Sequence, residues 1–171
     1  MKNLFTFILC FACLTGCSKK DAEPENYLSL KIDGKSWSGN VVNSENENVS
    51  ATVAQNLLIV AAERDADNAR TSVAVIFPEN IVTDQEVEFN SDQKTIMAYG
   101  ANNVDAYLLD VKSGGSGKLI VSRYDKENSI VEGTFSGTAI HSKNGSKLKI
   151  EDGKFRSKIY LGTVTTTPGK K

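Results

Sequence analysis

The sequence predicts an all-β fold, an antiparallel β-sandwich of roughly ten short strands, with a lipocalin-like β-barrel as the alternative. From Tyr27 onward, apolar residues recur mostly with a period of two, and no long stretch has a convincing helical period of 3.6. Turn signals such as Asn-Gly and Asp-Gly separate the alternating segments. A chain of 171 residues is enough for one compact domain, which we place at residues 27–161.

The clearest predicted strand runs from Ile130 to Ile140, with the sequence IVEGTFSGTAI. Its apolar residues, among them Val131 and Phe135, alternate with polar residues such as Glu132 and Thr134. This alternation predicts an antiparallel sheet with one solvated face. The two glycines inside the strand indicate a bulge, a bend or a close approach of another backbone.

The remaining strands are predicted from the same alternation and from the turns between them. A tight turn is expected at Asp33-Gly34 and a hairpin at Asp152-Gly153, because both pairs favour the positive φ that such turns need. The predicted strands are, in chain order, Tyr27 to Ile32, Ser36 to Val42, Leu57 to Ala62, Thr71 to Phe77, Thr95 to Tyr99, Ala106 to Val111, Lys118 to Tyr124, Lys147 to Ile150 and Lys154 to Leu161.

The first sixteen residues, MKNLFTFILCFACLTG, have the three parts of a secretory signal. Lys2 gives a basic start, an apolar run extends from Leu4 to Leu14, and small residues precede Cys17. The apolar run is too short to span a bilayer core of about 30 Å as a helix. We therefore expect residues 1–16 to be removed as a lipoprotein signal peptide.

Leu14-Thr15-Gly16-Cys17 resembles the lipobox of bacterial lipoproteins. The resemblance implies cleavage between Gly16 and Cys17, a thioether-linked diacylglycerol on Cys17 and a further acyl chain on its amine. Each buried CH₂ group contributes about 0.8 kcal/mol, so two or more chains would hold the protein firmly at a membrane. Cys10 and Cys13 lie in the segment that would be removed, which leaves no thiol for disulfides, nucleophiles or zinc sites.

Residues 17–26 are predicted to be the lipidated cysteine and a flexible tether, because they are polar, charged and contain a proline. Ser18 after the cysteine resembles an outer-membrane address. The following Lys-Lys-Asp-x-Glu cluster resembles the charged signals that some Bacteroidota lipoproteins use to reach the outer face. We expect a lipid-anchored protein of the outer membrane, on the cell surface or the periplasmic face. Residues 162–171 are expected to fray.

Three stretches of the domain resemble a family of small Bacteroidota lipoprotein domains of uncharacterised function. They are DGKSW at residues 33–37, GTFSGTA at residues 133–139 and IEDGKF at residues 150–155. The resemblance implies class and location, and it carries no catalytic residue. Each stretch also has a structural reason, since Trp37 is expected at a core edge while Phe135 and Phe155 are expected to fill the interior.

Composition and motifs exclude several functions. A formal net charge of −1 gives no overall field to attract nucleic acid, so we expect no nucleic-acid partner. No GxSxG, Walker-type, HExxH or dinucleotide motif occurs, so we expect no catalytic residues, no cofactor and no metal.

The single histidine, His141, is expected in water at a hairpin shoulder. The segment from Glu63 to Arg70 is predicted to be an exposed loop, although oxygen ligands from Asp65, Asp67 and Asn68 would suit calcium.

One candidate binding surface stands out near the C-terminus, where basic and apolar residues alternate on either side of Asp152-Gly153. A hairpin there would present five cations on one surface and could meet an acidic glycan, a lipid headgroup or an acidic protein. The alternatives are a solvated face paired with residues such as Glu132, or an edge strand protected by lysine against aggregation. The five cations are Lys147, Lys149, Lys154, Arg156 and Lys158.

These observations favour a non-catalytic binding or structural module, anchored to the envelope through Cys17, whose partner is a glycan or another envelope protein. One alternative is a barrel that holds a small apolar ligand in a closed interior. The other is a hydrolase that uses carboxylates from separate loops, since Asp and Glu are plentiful in the chain.

Overall fold

The computed structural model describes residues 26–39, 41–42, 46–47, 49–66, 69–101 and 105–160. The predicted signal peptide, Cys17, the tether up to Glu25 and the predicted tail at residues 162–171 lie outside these ranges. Asn26, the last residue of the predicted tether, belongs to the folded domain. It is buried, and its Oδ1 accepts a hydrogen bond of 2.7 Å from the backbone N–H of Lys158.

The domain is all-β, as predicted. Eleven strands form one large sheet, β3 and β4 pair separately, and two short 3₁₀ helices span Ser91–Gln93 and Val111–Ser113. No helix among these residues is long and apolar enough to cross a membrane. The strands are β1 (Tyr27–Ile32), β2 (Lys35–Ser38), β3 (Val41–Val42), β4 (Asn46–Glu47), β5 (Val49–Ala54), β6 (Leu57–Ala66), β7 (Ala69–Pro78), β8 (Glu86–Glu88), β9 (Ile96–Ala101), β10 (Asp105–Leu109), β11 (Ser116–Asp125), β12 (Ile130–His141) and β13 (Lys147–Tyr160).

The large sheet folds into a sandwich whose two layers are joined at both edges of the back sheet. The front sheet has the order β2-β1-β13-β12-β11-β8, and the back sheet has the order β5-β6-β7-β9-β10. At one edge, the end of β13 pairs in parallel with β5; at the other, the end of β12 pairs with β10. The pairings therefore close a circuit, but β1–β2 and β11–β8 extend beyond it, so the domain is not a regular barrel.

Aromatic side chains fill the space between the two sheets. Phe77 of the back sheet stacks on Phe155 of the front sheet with ring centroids 6.1 Å apart, and Phe155 also contacts Phe135. Trp37 is buried, and its Nε1 donates a hydrogen bond of 2.8 Å to the Thr71 hydroxyl across the sandwich. The predicted interior positions of Phe135 and Phe155 are thus confirmed, and Trp37 lies on the edge strand β2, at the edge of the core as predicted.

Two glycines in the front sheet make room for these rings. Gly133 lies directly opposite Phe155 in the pairing of β12 with β13, and Phe135 lies directly opposite Gly153. A β-carbon on Gly133 would lie 2.6 Å from Cζ of Phe155 and 2.6 Å from the Ile120 carbonyl oxygen. Each ring therefore covers a glycine on the neighbouring strand, an arrangement that a larger residue at Gly133 or Gly153 would prevent.

The predicted hairpin at Asp152-Gly153 is wrong, because β13 is one continuous strand. On β12 the chain advances two residues from Phe135 to Gly137, while on β13 it advances three from Ile150 to Gly153. The extra residue forms a β-bulge in which Asp152 has a φ of 52°. The positive φ that the Asp-Gly pair tolerates is used here inside a strand.

Several other boundaries differ from the predictions. The expected loop from Glu63 to Arg70 is wrong, since β6 runs to Ala66 and β7 starts at Ala69; Asp67 and Asn68 lie outside the described residues. Cross-strand pairs between polar residues, including an ion pair between Arg70 and Glu63, extend this hairpin. The predicted strand from Ser36 to Val42 is divided into β2 and β3, and β4, β5 and β8 were not predicted.

Replacement of Gly133 by alanine should destabilise the domain by about 1–3 kcal/mol, because the new methyl group would displace the Phe155 ring and press on the neighbouring strand. Urea unfolding of the purified protein measures the change. Thr134→Ala is the control, since Thr134 is the next residue of β12 and its side chain is exposed. Equal stability of both variants would show that the Phe155 ring can pack against β12 without a glycine at position 133.

Candidate functional site

The structure places the five predicted cations on the outer face of the front sheet. They alternate along β13 with inward-facing residues such as Ile150 and Phe155, which are buried. The bulge at Asp152 shifts the alternation by one residue, so the cations before it and those after it share one face. The shared face that the sequence suggested therefore exists, but its cause is a bulge and not a hairpin.

Two of these cations are paired with carboxylates, and a third lies over an aromatic ring. Lys149 pairs with Glu151 at 2.7 Å, and Arg156 pairs with Glu132 on the adjacent strand. The Lys154 ammonium lies 5.4 Å from the centre of the Tyr27 ring. Exposed ion pairs of this kind contribute little to stability. They also divide the predicted cationic strip, so it does not form one continuous positive surface.

Three open hollows lie next to one another, and together we call them the cross-strand trough. Their volumes are about 500, 430 and 430 Å³. The first and second hollows share Lys118 and Ser136, and the second and third share Asp152 and Lys154. The outward-facing side chains that line the trough are Glu86, Glu88, Ser116, Lys118, Ile120, Thr134, Ser136, Thr138, Asp152, Lys154, Ser29, Lys31, Ser36 and Ser38. Arg64 of the back sheet and the buried residues Leu30, Trp37 and Phe135 complete the lining.

The trough runs across the strands and not along them. A single row of paired residues crosses the front sheet within it, one residue from each of its six strands. Neighbouring strands lie about 4.8 Å apart, so this row is about 24 Å long. In order from β8 to β2, the row consists of Glu86, Ile120, Thr134, Lys154, Ser29 and Ser38.

The lining of the trough is made of hydroxyl groups with charges of both signs. Ile120 is the large apolar side chain of the row, and it is partly exposed. Leu30, Trp37 and Phe135 also border the hollows, but they are buried. Lys118 bridges the trough by donating hydrogen bonds of 2.8 and 2.9 Å to the Glu86 carboxylate. The strand backbones pair with one another along this row. A ligand in the trough would therefore be recognised by side chains.

The bulge contributes a charged pair to the middle of the trough. Lys31 lies 2.7 Å from Asp152, across the pairing of β1 with β13. The hydrogen bond and the positive charge of Lys31 hold the pKa of the Asp152 carboxyl below its usual value. Asp152 therefore stays ionised at neutral pH and cancels the charge of Lys31.

A buried carboxylate holds the chain segment that leads into the first hollow. Asp110 accepts hydrogen bonds from the backbone N–H of Ser91 at 2.8 Å and from the Ser113 hydroxyl at 3.4 Å. The Gly115 N–H also binds the Asp110 carbonyl oxygen at 3.0 Å, directly before Ser116 of the trough. Burial raises the pKa of Asp110, but the hydrogen bonds to Ser91, Lys112 and Ser113 together outweigh it, and the net pKa is lowered.

His141 is buried, so its predicted position in water is wrong. Its Nδ1 accepts hydrogen bonds from the backbone N–H groups of Lys143 and Asn144, at 3.1 and 3.2 Å. The opposite nitrogen, Nε2, lies 3.3 Å from Asp105, and the ring packs edge-on against Tyr107 with centroids 4.8 Å apart. The histidine closes the turn after β12 because the turn's amide groups need an acceptor.

Sequence reasoning located one member of the trough, Lys154, and missed its other charged residues. One sequence feature could have indicated the trough: the polar face of β12, where Thr134, Ser136 and Thr138 alternate with the core residues. Within the described ranges, no group of three or more His, Cys, Asp or Glu residues could hold a metal ion.

Comparisons of the chain with protein-family models, with curated proteins and with solved structures found no match. The resemblance to the Bacteroidota lipoprotein domains therefore stays a prediction.

Replacement of Asp110 by asparagine should cost about 1–3 kcal/mol at pH 7, because an amide accepts weaker hydrogen bonds than a carboxylate. The pKa of Asp110 is lowered on folding, so its contribution is present above the ordinary aspartate pKa of about 3.9 and is lost as the pH falls through the folded value. The stability gap between the two proteins should therefore close in acid.

Urea unfolding at a series of pH values measures this gap. Asp92→Asn is the matched control, because Asp92 lies in the neighbouring 3₁₀ helix with a side chain that is 66% exposed. A gap that stays constant down to pH values well below the aspartate range would contradict the role given to the Asp110 charge.

Proposed function

We propose that this protein is a non-catalytic, lipid-anchored envelope lipoprotein that binds a glycan along the cross-strand trough. Two features support the proposal. The LTGC sequence at residues 14–17 supports lipidation at Cys17, and the face opposite the core supplies a long polar depression. The resemblance of the three domain stretches to Bacteroidota lipoproteins supports the outer membrane as its location, on either face.

The continuity of the three hollows is the observation that carries the glycan part of this proposal. Pockets for small molecules are concave and bury most of the ligand's surface. The trough is instead open along its whole length, and it crosses six strands over about 24 Å. An open, elongated depression suits a polymer that lies across the sheet and contacts each strand through one or two side chains.

The chemistry of the lining favours a glycan over a protein partner. A peptide that adds to a sheet pairs with the backbone of an edge strand, whereas the trough crosses the centre of the front sheet. Protein interfaces are centred on aromatic and apolar residues. The trough presents hydroxyl groups, amines and carboxylates around one partly exposed isoleucine, while the other apolar residues of its lining, Leu30, Trp37 and Phe135, are buried. Such groups match a chain whose surface consists mainly of hydroxyl groups.

The two alternative functions have less support. The space between the sheets is occupied by core side chains such as Phe77, Phe135 and Phe155, which favours a packed interior over a cavity for an apolar ligand. Among the carboxylates of the trough, Glu86 is bound by Lys118 and Asp152 by Lys31. These ion pairs suit a binding surface better than a pair of catalytic acids.

Replacement of Cys17 by alanine should move the protein from the membrane fraction to the soluble fraction of cells, because the acyl chains would have no sulfur to join. Immunoblotting of the two fractions measures this. Cys13→Ala is the matched control, since Cys13 lies four residues earlier and is expected to be removed with the signal peptide. Membrane retention of the Cys17 variant would refute the anchor.

Replacement of Ser136 by tyrosine should weaken glycan binding about tenfold or more, because the ring would fill the junction between the first and second hollows. Isothermal titration of the mature protein against soluble glucans, mannans and polyuronates measures binding. Ser142→Tyr adds the same ring to an exposed turn outside the trough and should bind as the wild type does. Failure of the wild-type protein to bind any of these polymers would sink the glycan proposal.

A further inference from the structure

The two ends of the trough differ in charge. The hollow at the β8 end contains Glu86, Glu88 and Lys118, which gives two carboxylates and one cation. The hollow at the β2 end contains three cations and one carboxylate, Asp152. Since Asp152 is held by Lys31, the other two cations of this hollow, Lys154 and Arg64, give it a net positive charge.

Arg64 is the unusual member of this group because it comes from the back sheet. It lies on β6 and lines the hollow together with Trp37 of the edge strand β2. Its backbone is held in place, since its carbonyl oxygen accepts a hydrogen bond of 3.4 Å from the Thr71 hydroxyl. That hydroxyl in turn accepts the hydrogen bond from the Trp37 indole at 2.8 Å.

Arg64 is half-buried as a residue, and within the described part of the chain no carboxylate forms an ion pair with it. Arg70 provides the contrast on the same hairpin, where it forms an ion pair with Glu63. Lys154, the other cation of this hollow, has an exposed ammonium that rests against the Tyr27 ring. Two cations of this hollow are thus available to a ligand.

We propose that the β2 end of the trough binds a carboxylate of an acidic glycan, with Arg64 and Lys154 as the groups that recognise it. This inference rests on the proposed glycan-binding function and adds the class of glycan. The planar guanidinium of arginine offers two parallel N–H donors that match a carboxylate, and such charge-assisted hydrogen bonds are stronger than neutral ones. The hydroxyl groups of Ser29, Ser36 and Ser38 beside it would bind the rest of the sugar.

The position of the cations also predicts a direction for the bound chain. The acidic residues Glu86 and Glu88 lie at the far end of the trough, about 24 Å away across the six strands. They would repel a carboxylate placed there. An acidic sugar is therefore favoured at the β2 end and a neutral sugar at the β8 end, so a glycan with spaced acidic units fits better than a uniformly charged one.

The test compares one neutral soluble glucan with the same glucan partly oxidised at C6 to the uronate. The wild-type protein should bind the oxidised polymer more tightly than the neutral one, and the preference should shrink at high salt. Arg64→Gln should reduce binding of the oxidised polymer about ten- to a hundredfold and reduce binding of the neutral polymer by a much smaller factor. A sulfated form of the same glucan shows whether any anion is accepted or the planar carboxylate is preferred.

Arg70→Gln is the matched control, because it removes an equal charge from the same hairpin at a residue already paired with Glu63. Equal binding of neutral and oxidised polymers by the wild type would overturn the acidic preference while leaving glycan binding intact. An equal loss in both arginine variants would overturn the role of Arg64 and indicate a nonspecific charge effect. Binding of neither polymer would overturn the proposed function as well. Urea unfolding confirms that each variant is folded.

Discussion

The β-bulge at Asp152 is the constraint on which the rest of the front sheet depends. Side chains alternate along a strand, so one extra residue exchanges the two faces of everything that follows it. Without the bulge, Lys154 and Arg156 would point into the core while Phe155 pointed into water. Burial of two unpaired cations would cost far more than the local distortion of the strand. The bulge therefore allows one strand of fourteen residues, β13, to pair with β1 and β12 along its length and still keep one apolar face.

The same bulge explains which part of the fold could be predicted from sequence. Alternation of apolar and polar residues is a local signal, and it located the strand from Ile130 onward with its correct inner face. The dipeptide Asp152-Gly153 alone does not determine the local structure, because a residue with positive φ fits a hairpin turn and a β-bulge equally well. The bulge forms because β1 and β12 pair with β13 on both sides of that point. If β13 turned back at that point, β1 and β12 would each lose part of the strand with which they pair.

The candidate site was less predictable than the fold because it is assembled from residues far apart in sequence. Ser29 and Lys154 become neighbours only through the pairing of β1 with β13, and no periodicity reports that register. The five basic residues near the C-terminus were visible, and so was Glu132 as a partner, but the pairing of Glu132 with Arg156 depends on the register of β12 and β13. Arg64, one of the trough cations without a carboxylate partner among the described residues, was assigned to a loop.

The open form of the trough affects how tightly the proposed glycan can be bound. A polar depression whose aromatic neighbours are buried gains little free energy per sugar, since each hydrogen bond replaces one to water. A polymer that repeats the same unit can, however, occupy troughs on several molecules at once. Under the proposed anchoring, the acyl chains would confine those molecules to one plane. Linked binding events then raise the overall affinity well above that of one trough, so weak individual sites are sufficient.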